Sequence, residues 1–398
     1  MIPELRREFN SRFTATKYRE FLERLNERCR TQIKFRVSET PCFFPKALLE
    51  NLARVGTELV EQLISNPEYR RAADAAVPQE FAVPNEDSVP HFVSVDFGLV
   101  RDADGKVTPK LVELQAFPTL YAYQPALAEV YSQAYQLPGD LKMFFGDLGF
   151  ERYRKLLRQV IVGNNDPRNV VLLEIDPLEQ KTLPDFLLTE EICGIPSVNI
   201  RDVRKQGNKL YYSGSGKQIP IERIYNRVII DELVRKQINI PFDYRDPLDV
   251  EWAGHPNWYF RISKFSIPYL RHPAVPRTWF LNELNALPKD RENYLLKPLY
   301  SFAGAGIVFA PSDEHIASIP ASERRNYILQ EKVAFAPVIE TPHGATQAEI
   351  RIMYIWPEGE KLQPVLPLVR MGRGKMMGVD HNRNLEWVGA SAALWPNS

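Results

Sequence analysis

The spacing of apolar and polar positions divides the front of the chain into helical and strand-like stretches. Residues from about 1 to 85 carry apolar side chains at three- and four-residue spacing, which predicts amphipathic helices. The segment HFVSVDFGLVRDADGKVTPKLVELQA then predicts two strands joined by the turn Asp102-Ala103-Asp104-Gly105. Residues 124–160 return to a helical pattern, so a β-hairpin is expected between two helical regions.

The remainder of the chain begins with a bare apolar run. Residues 169–175, NVVLLEI, are typical of a buried parallel strand, and the segments after them predict a small βαβ lobe to about residue 235. Residues 255–290 are predicted to be helical with a proline-rich exit, and strand patterns recur from Tyr294 onward. This order predicts an α+β protein with four regions, at 1–90, 91–165, 166–250 and 251–398.

Length and composition exclude several classes of protein. The chain has 398 residues, 44% of them hydrophobic, and its 50 basic residues balance its 50 acidic ones. A balanced chain has no global field that would attract nucleic acid or an anionic membrane. The three cysteines lack metal-like spacing, and no apolar run reaches about 18 residues. We therefore expect a cytoplasmic protein with neither nucleic-acid nor membrane partners.

Two glycine-containing segments imitate nucleotide-binding loops. In SGSGK (213–217) the Walker pattern would need a glycine in place of Tyr211 and a serine or threonine in place of Gln218. We interpret this segment as a hairpin turn between two short strands. Gly304-Ala305-Gly306 is only a fragment of a dinucleotide fingerprint.

A lysine inside an apolar strand is a stronger candidate for chemistry. In YLLKPL (294–299) Lys297 points away from Leu296, and the loop that follows contains Ser301, Ala303, Gly304 and Gly306. Small residues let backbone N–H groups approach phosphate oxygens, and a lysine adds a positive charge. An edge-strand lysine before a flexible hairpin would show the same local pattern, so both interpretations stay open at this point.

A second apolar strand, YILQEKV, follows about 30 residues later at 327–333. Its residues Gln330, Glu331 and Val333 can offer hydrogen bonds to an adenine edge. The lysine strand, the small-residue loop and this strand together indicate a nucleotide site more specifically than any of them does alone.

The predicted hairpin at 91–118 carries a set of oxygen ligands. Asp96 lies eight residues before Asp104 in the turn and Glu113 nine after it, so the two should be neighbours across the strands. Gln115 shares a face with Glu113 because side chains alternate with a period of two. Such a cluster suits Mg²⁺, although a solvated hairpin face would carry the same residue types.

This order of segments resembles the circularly permuted ATP-grasp group, which includes the synthetase domain of glutathionylspermidine synthase. YLLKPLYSFAGAGI and YILQEKV are similar to its lysine strand, flap and hinge, and VDFGLVRDADGKVTPKLVELQAFPTL is similar to its metal-binding run. The resemblance covers roughly residues 91–390. It implies a permuted ATP-grasp fold with a small α/β lobe before the ATP site, ATP and Mg²⁺ as cofactors, and catalytic arginines at Arg351 and Arg370.

The resemblance also implies a reaction. The γ-phosphoryl group of ATP would pass to the carboxylate of a small molecule or peptide, and an amine or thiol would attack the acyl phosphate. Gln115 replaces the group's asparagine, and Phe302-Ala303 stand where the synthetase has Arg-Glu, which weakens any inference to glutathione and spermidine as substrates. A small-molecule kinase on the same fold and a nucleotide-binding protein without catalysis are the alternatives.

Overall fold

The chain begins with helices, as its periodicity predicts. The computed structural model describes residues 1–301, 304–378, 382 and 384–397. Thr14 and Asn66 begin two of the helices by accepting hydrogen bonds from backbone N–H groups of the first turn. The elements are α1 (Pro3–Arg12), α2 (Ala15–Cys29), β1 (Cys42–Phe43), α3 (Lys46–Ser65) and α4 (Pro67–Ala76).

The predicted hairpin follows these helices. Its strands and the elements after them are β2 (Phe92–Arg101), β3 (Val107–Gln115), α5 (Tyr123–Ala134), β4 (Leu141–Lys142) and α6 (Phe150–Val162). Asp102 closes the turn by accepting from the backbone N–H groups of Asp104 and Lys106, at 3.1 and 2.9 Å. Asp96 and Glu113 are neighbours, as predicted, and they lie directly opposite one another because a bulge at Val112 inserts one extra residue into β3.

A small lobe with a parallel sheet comes next. Its elements are β5 (Val170–Glu174), α7 (Leu183–Cys193), β6 (Ser197–Asn199), β7 (Arg204–Gln206), β8 (Lys209–Gly214), β9 (Lys217–Ile221), β10 (Arg223–Asn226), α8 (Ile230–Arg235) and β11 (Glu251–Ala253). The parallel strands lie in the order β11, β10, β5 and β6. Ser215 and Gly216 turn β8 into β9 at positive φ, so SGSGK forms the predicted hairpin turn.

The prediction of a helical stretch at 255–290 is wrong. This stretch forms the one-turn helix α9 (Trp258–Arg261), 3₁₀ turns at Lys264–Tyr269 and Leu281–Glu283, and the strand β12 (Thr278–Phe280). Prolines at positions 256, 268, 273, 276 and 288 interrupt it. Because proline lacks the N–H that an α-helix interior requires, the apolar spacing alone could not produce a helix.

The strands predicted from Tyr294 onward are confirmed. They are β13 (Tyr294–Pro298), β14 (Val308–Phe309), β15 (Tyr327–Glu331), β17 (Thr346–Ile355) and β18 (Gln363–Gly372). The structure adds two strands that were not predicted, β16 (Pro337–Ile339) and β19 (Gly389–Pro396), and the short helix α10 (Asp313–Ala317) between β14 and β15. An antiparallel sheet joins β12, β15, β13 and β14 in that order.

The main sheet brings the two ends of the chain together. Its strands run in the order β1, β19, β18, β17, β2 and β3, with β16 on β17 and β4 on β19. Along β17, Ile350 and Ile352 pack in the cluster that contains α3, whereas Met353 and Ile355 pack in the cluster that contains α5. Both faces of the sheet are therefore buried, and the hairpin β2–β3 is held beside β17. Within the described residues, no helix is long and apolar enough to cross a membrane.

Candidate functional site

Lys297 is a buried cation in the middle of β13. Its side chain is 4% exposed, and its Nζ donates to Oε1 of Gln330 at 2.5 Å and to the carbonyl of Val112 at 3.5 Å. Burial lowers the pKa of Lys297 to about 8, and the nearby carboxylate of Glu113 opposes this only in part. The lysine therefore sits in a place that favours an additional negative group.

The small-residue loop predicted to contact phosphates follows β13. Gly304 and Gly306 adopt positive φ angles of 76° and 73°, which only glycine takes readily. The carbonyl of Ser301 accepts a hydrogen bond from Nζ of Lys264 at 2.7 Å. Ala303, also predicted to contact nucleotide, lies outside the described residues.

The three residues predicted to contact adenine, on β15 and just after it, have different surroundings. Gln330 is buried, and its Nε2 has no hydrogen-bond partner within the described part of the chain. The carboxylate of Glu331 turns away to Arg277, at 3.3 Å, and does not line the cavity described below. Val333 does line it, and among the described residues neither its backbone N–H nor its carbonyl has a hydrogen-bond partner.

A cavity of about 640 Å³ separates β13 and β15 from the main sheet. Its wall includes the predicted site residues Lys297, Gly304, Gln330, Val333, Glu113 and Arg370. We call it the first cavity. Its size falls within the range of small-molecule sites, and its wall combines a buried lysine, unpaired hydrogen-bonding groups and an arginine.

A cluster of carboxylates and arginines adjoins this cavity, and Glu113, Glu349 and Arg370 of the cluster line it. Arg351 makes a two-pronged ion pair with the buried Asp96, at 2.6 and 2.7 Å, and Arg370 contacts the same carboxylate. Arg370 also pairs with Glu349 at 2.7 Å. Although burial would raise it, the two arginines hold the pKa of Asp96 below its ordinary value. Burial raises the pKa of Glu349, and Asp96 and Glu113 add to this rise.

The three predicted metal ligands lie together but are engaged differently. Both carboxylate oxygens of Asp96 are bound by arginines, and Gln115, with its amide oxygen turned to Arg351, accepts from Nη2 at 2.6 Å. The carboxylate of Glu113 makes no hydrogen bond or ion pair with any described residue. Glu113 and the crowded carboxylate of Glu349 therefore fit a divalent cation by their donor chemistry. Within the described residues no ready-made cluster of three such ligands is found, and a metal at Asp96 or Gln115 stays a prediction.

Two charged residues of this region were not singled out in the sequence. Glu349 lies two positions before Arg351 on β17, so the period of a strand places both on one face. Lys264 is buried, and burial lowers its pKa, opposed by Glu113. It lies in a 3₁₀ turn within the stretch that the sequence pattern predicts as a helix. Because that prediction is wrong, the direction of the Lys264 side chain could not be inferred from the sequence.

A second cavity, of about 370 Å³, adjoins the first. Glu113 and Arg370 line both, and Gln115, Arg351 and Lys264 line the second. Of the predicted residues, the structure thus brings together Lys297, Gly304, Gln330, Val333, Asp96, Glu113, Gln115, Arg351 and Arg370. The two cavities meet at the cluster of arginines and carboxylates, so groups bound on either side would come together there.

Comparison with known proteins identifies the fold and leaves the family unassigned. No family model matches the chain, and no curated protein sequence matches it. Among solved structures, the chain is similar to a glutathione synthetase-like effector from Globodera pallida in its apo form. The TM-score is 0.60 at 11% sequence identity, over 95% of this chain and 96% of that one. The chain thus has a mixed α+β fold like that of a glutathione synthetase-like protein.

Proposed function

We propose that this chain is a circularly permuted ATP-grasp enzyme that joins a carboxylate to an amine or a thiol with ATP. The observation that carries the proposal is the position of Lys297. It is a buried lysine, followed by a glycine loop and faced by the β15 strand, and it opens on the same cavity as Arg370 and Glu113. The likeness in fold to a glutathione synthetase-like effector supports a ligase architecture.

The position of the hairpin supports the permuted arrangement. β2 and β3 precede β17 by more than two hundred residues in sequence, yet β2 pairs with it and sets Asp96 opposite Arg351. In an ATP-grasp enzyme the metal-binding strands lie beside the arginine strand. Here the front of the chain supplies strands in that position.

The proposal gives a role to the main charged side chains and backbone groups of the site. Lys297 binds a phosphate oxygen, and the glycine loop covers the phosphates with its backbone. The free backbone groups of Val333 bind the adenine edge. Arg370 stabilises the charge that develops during phosphoryl transfer, and Arg351 fixes Asp96 and Gln115. Catalysis then rests on positioning and on charge, without a covalent enzyme nucleophile.

Glu113 is the residue best placed to hold magnesium. Among the described residues its carboxylate is unpaired and lies at the junction of the two cavities, and Glu349 lies in the first cavity with it. Magnesium, when bound, would neutralise phosphate charge and orient the transferring group. Gln115, which lies on β3 with Glu113, would hold Arg351 in place through its hydrogen bond.

The test is the variant Glu113→Gln, which keeps the shape and removes the charge. We expect magnesium-dependent ADP formation with a pool of cellular metabolites to fall at least roughly 100-fold, while ATP without magnesium still binds. The exposed Glu151→Gln is the matched control. Unchanged turnover in Glu113→Gln would refute the metal role.

Trapping with hydroxylamine separates a ligase from a kinase. Hydroxylamine converts an acyl phosphate to a hydroxamate and leaves the phosphate ester of an alcohol intact. A hydroxamate product supports ligation. A stable phosphate ester would instead assign the chain as a small-molecule kinase.

A nucleotide-binding protein without turnover is the second candidate. The observation that favours it is the engagement of Asp96 with two arginines and of Gln115 with Arg351, which leaves Glu113 as the uncommitted member of the predicted ligand set. ATP binding without ADP release, across the whole metabolite pool, would support this candidate against the ligase.

A further inference from the structure

The second cavity lies at the carboxyl ends of parallel strands in the small lobe. Glu174 ends β5, and Arg227 directly follows β10. These two strands pair with each other in parallel, and ligands commonly bind at this edge of an open α/β sheet. At the other end of the cavity lie Glu113 and Arg370, where it meets the first cavity. A substrate in this cavity would therefore reach the site of phosphoryl transfer.

Arg227 is a buried cation with unfilled hydrogen-bonding capacity. Its side chain is 3% exposed, and it contacts the carbonyl of Pro118 and, at 3.5 Å, the hydroxyl of Thr119. Within the described residues its Nε has no hydrogen-bond partner. A buried guanidinium in this state favours an anionic ligand.

The carboxylate nearest Arg227 is already engaged elsewhere. Asp185 lies 3.6 Å from Arg227, but its two oxygens accept from the backbone N–H groups of Leu120, Ala122 and Tyr123, at 2.9–3.0 Å. Asp185 therefore holds the segment before α5 in place and satisfies Arg227 only in part.

Glu174 is the complementary group in the same cavity. It is 5% exposed, and one of its oxygens accepts from the backbone N–H of Ile175 at 2.7 Å. Burial raises its pKa to about 8, opposed by Arg227, while Glu232 adds to the rise and Lys236 opposes it. Glu232 is itself paired with Lys236. Arg227 favours the charged form of Glu174 electrostatically, yet the two side chains make no ion pair.

We propose that the second cavity binds the amine substrate as a zwitterion of the amino-acid class, with its carboxylate on Arg227 and its ammonium group on Glu174. This inference rests on the proposed ligase function and deepens it. Such a molecule has both charges at short separation, so it can bridge two buried groups that do not reach each other. A diamine would leave Arg227 unpaired and would add a second cation beside it.

The chemistry of amide formation is consistent with Glu174 at the ammonium end. The nitrogen must lose one proton before its lone pair attacks the acyl carbon, and the bond from that carbon to the phosphate oxygen then breaks. Glu174 accepts the first proton, and the departing phosphate takes the second. A carboxyl group whose pKa lies near neutrality suits this exchange.

The experiment measures binding to the whole chain by calorimetry without ATP. The probes are glycine and the standard L-amino acids, the carboxamides of those that bind, and 1,4-diaminobutane. We expect at least one amino acid to bind, and its carboxamide to bind roughly 10- to 100-fold more weakly, because it lacks the charge that Arg227 recognises. At pH 7 the binding should release close to one proton, seen by comparing buffers of different ionisation enthalpy.

Two variants sharpen the test. Arg227→Gln should weaken binding of the amino acid and leave binding of the carboxamide unchanged. Glu174→Gln should abolish the proton release. The exposed Arg168→Gln is the matched control. If Arg227→Gln fails to fold, the ratio of the affinities of the unaltered protein for the amino acid and for its carboxamide decides the question. Equal binding of the carboxamide or of the diamine would overturn the inference. The proposed function fails separately, if ATP with magnesium does not bind at Lys297.

Discussion

Replacing Lys297 with methionine tests the buried lysine through both stability and nucleotide binding. The side chain keeps its length and loses its charge. In the unfolded chain this lysine holds its proton up to its ordinary pKa of 10.5, whereas in the folded protein it does so only up to about 8. Between these values the unfolded chain binds more protons, so stability rises with pH. Below pH 8 the buried charge costs about 3 kcal/mol.

The size of the net effect follows from two opposing terms. Methionine removes this cost of about 3 kcal/mol but leaves Oε1 of Gln330 without its donor at Lys297, which costs about 1–3 kcal/mol. At pH 7 we therefore expect Lys297→Met to be as stable as the unaltered protein or up to about 2 kcal/mol more stable. Between pH 7 and pH 10 the unaltered protein should gain about 2–3 kcal/mol relative to the variant.

Urea unfolding at pH 7 and pH 10, together with ATP titration at pH 7, measures both effects. Loss of a charged hydrogen bond to phosphate is worth about 2 kcal/mol, so we expect ATP to bind roughly 30-fold more weakly. The exposed Lys209→Met serves as the control. Parallel pH dependences in variant and parent would refute the burial argument, and unchanged ATP affinity would refute the nucleotide site at β13.

Two further substitutions probe the cluster and the adenine side. Asp96→Asn leaves Arg351 without its buried counter-charge, while Arg370 keeps its pair with Glu349, so urea unfolding should show a loss of about 3–5 kcal/mol. The exposed Asp140→Asn should leave the midpoint unchanged, and an equally small effect at Asp96 would contradict the cluster. In Gly98→Ala the new methyl would lie 2.7 Å from Val333 and 2.8 Å from the ring of Phe335, so titration should show weaker ATP binding, by roughly tenfold. Gly139→Ala, which meets nothing within 4 Å, should bind ATP like the parent.

The sequence predicts those parts of the site that depend on local pattern. Strand periodicity places Lys297 opposite in direction to Leu296, and the count across the hairpin places Asp96 near Glu113, whereas their direct pairing depends on the bulge at Val112. These predictions need only the alternation of a strand and the length of a turn. The same local reasoning fails at 255–290, where apolar spacing imitates a helix although the prolines forbid it. The wrong helix prediction also prevented any prediction of where the Lys264 side chain points.

The local sequence pattern does not predict which residue each charged side chain pairs with. Asp96 was predicted as a metal ligand from its residue type and its neighbour in the hairpin. Its contacts in the structure are Arg351 and Arg370, 255 and 274 positions away. Such pairs are set by which strand lies beside β2 in the main sheet, and β17 is held there by packing on both faces. Composition and spacing do not carry this information, so the electrostatic state of Asp96 emerges only from the fold.

One extra residue in β3 explains why the hairpin can serve the site at all. Phe97 pairs with Leu111 and Asp96 with Glu113, so Val112 is the residue in excess. Without the bulge Asp96 would oppose Val112, and Glu113 would move opposite Val95, on the other face of the sheet. The bulge thus puts both carboxylates on one face, and the carbonyl of Val112 accepts from Lys297. The pairing of a residue eight positions before Asp104 with one nine positions after it reflects this bulge, which the sequence pattern alone does not reveal.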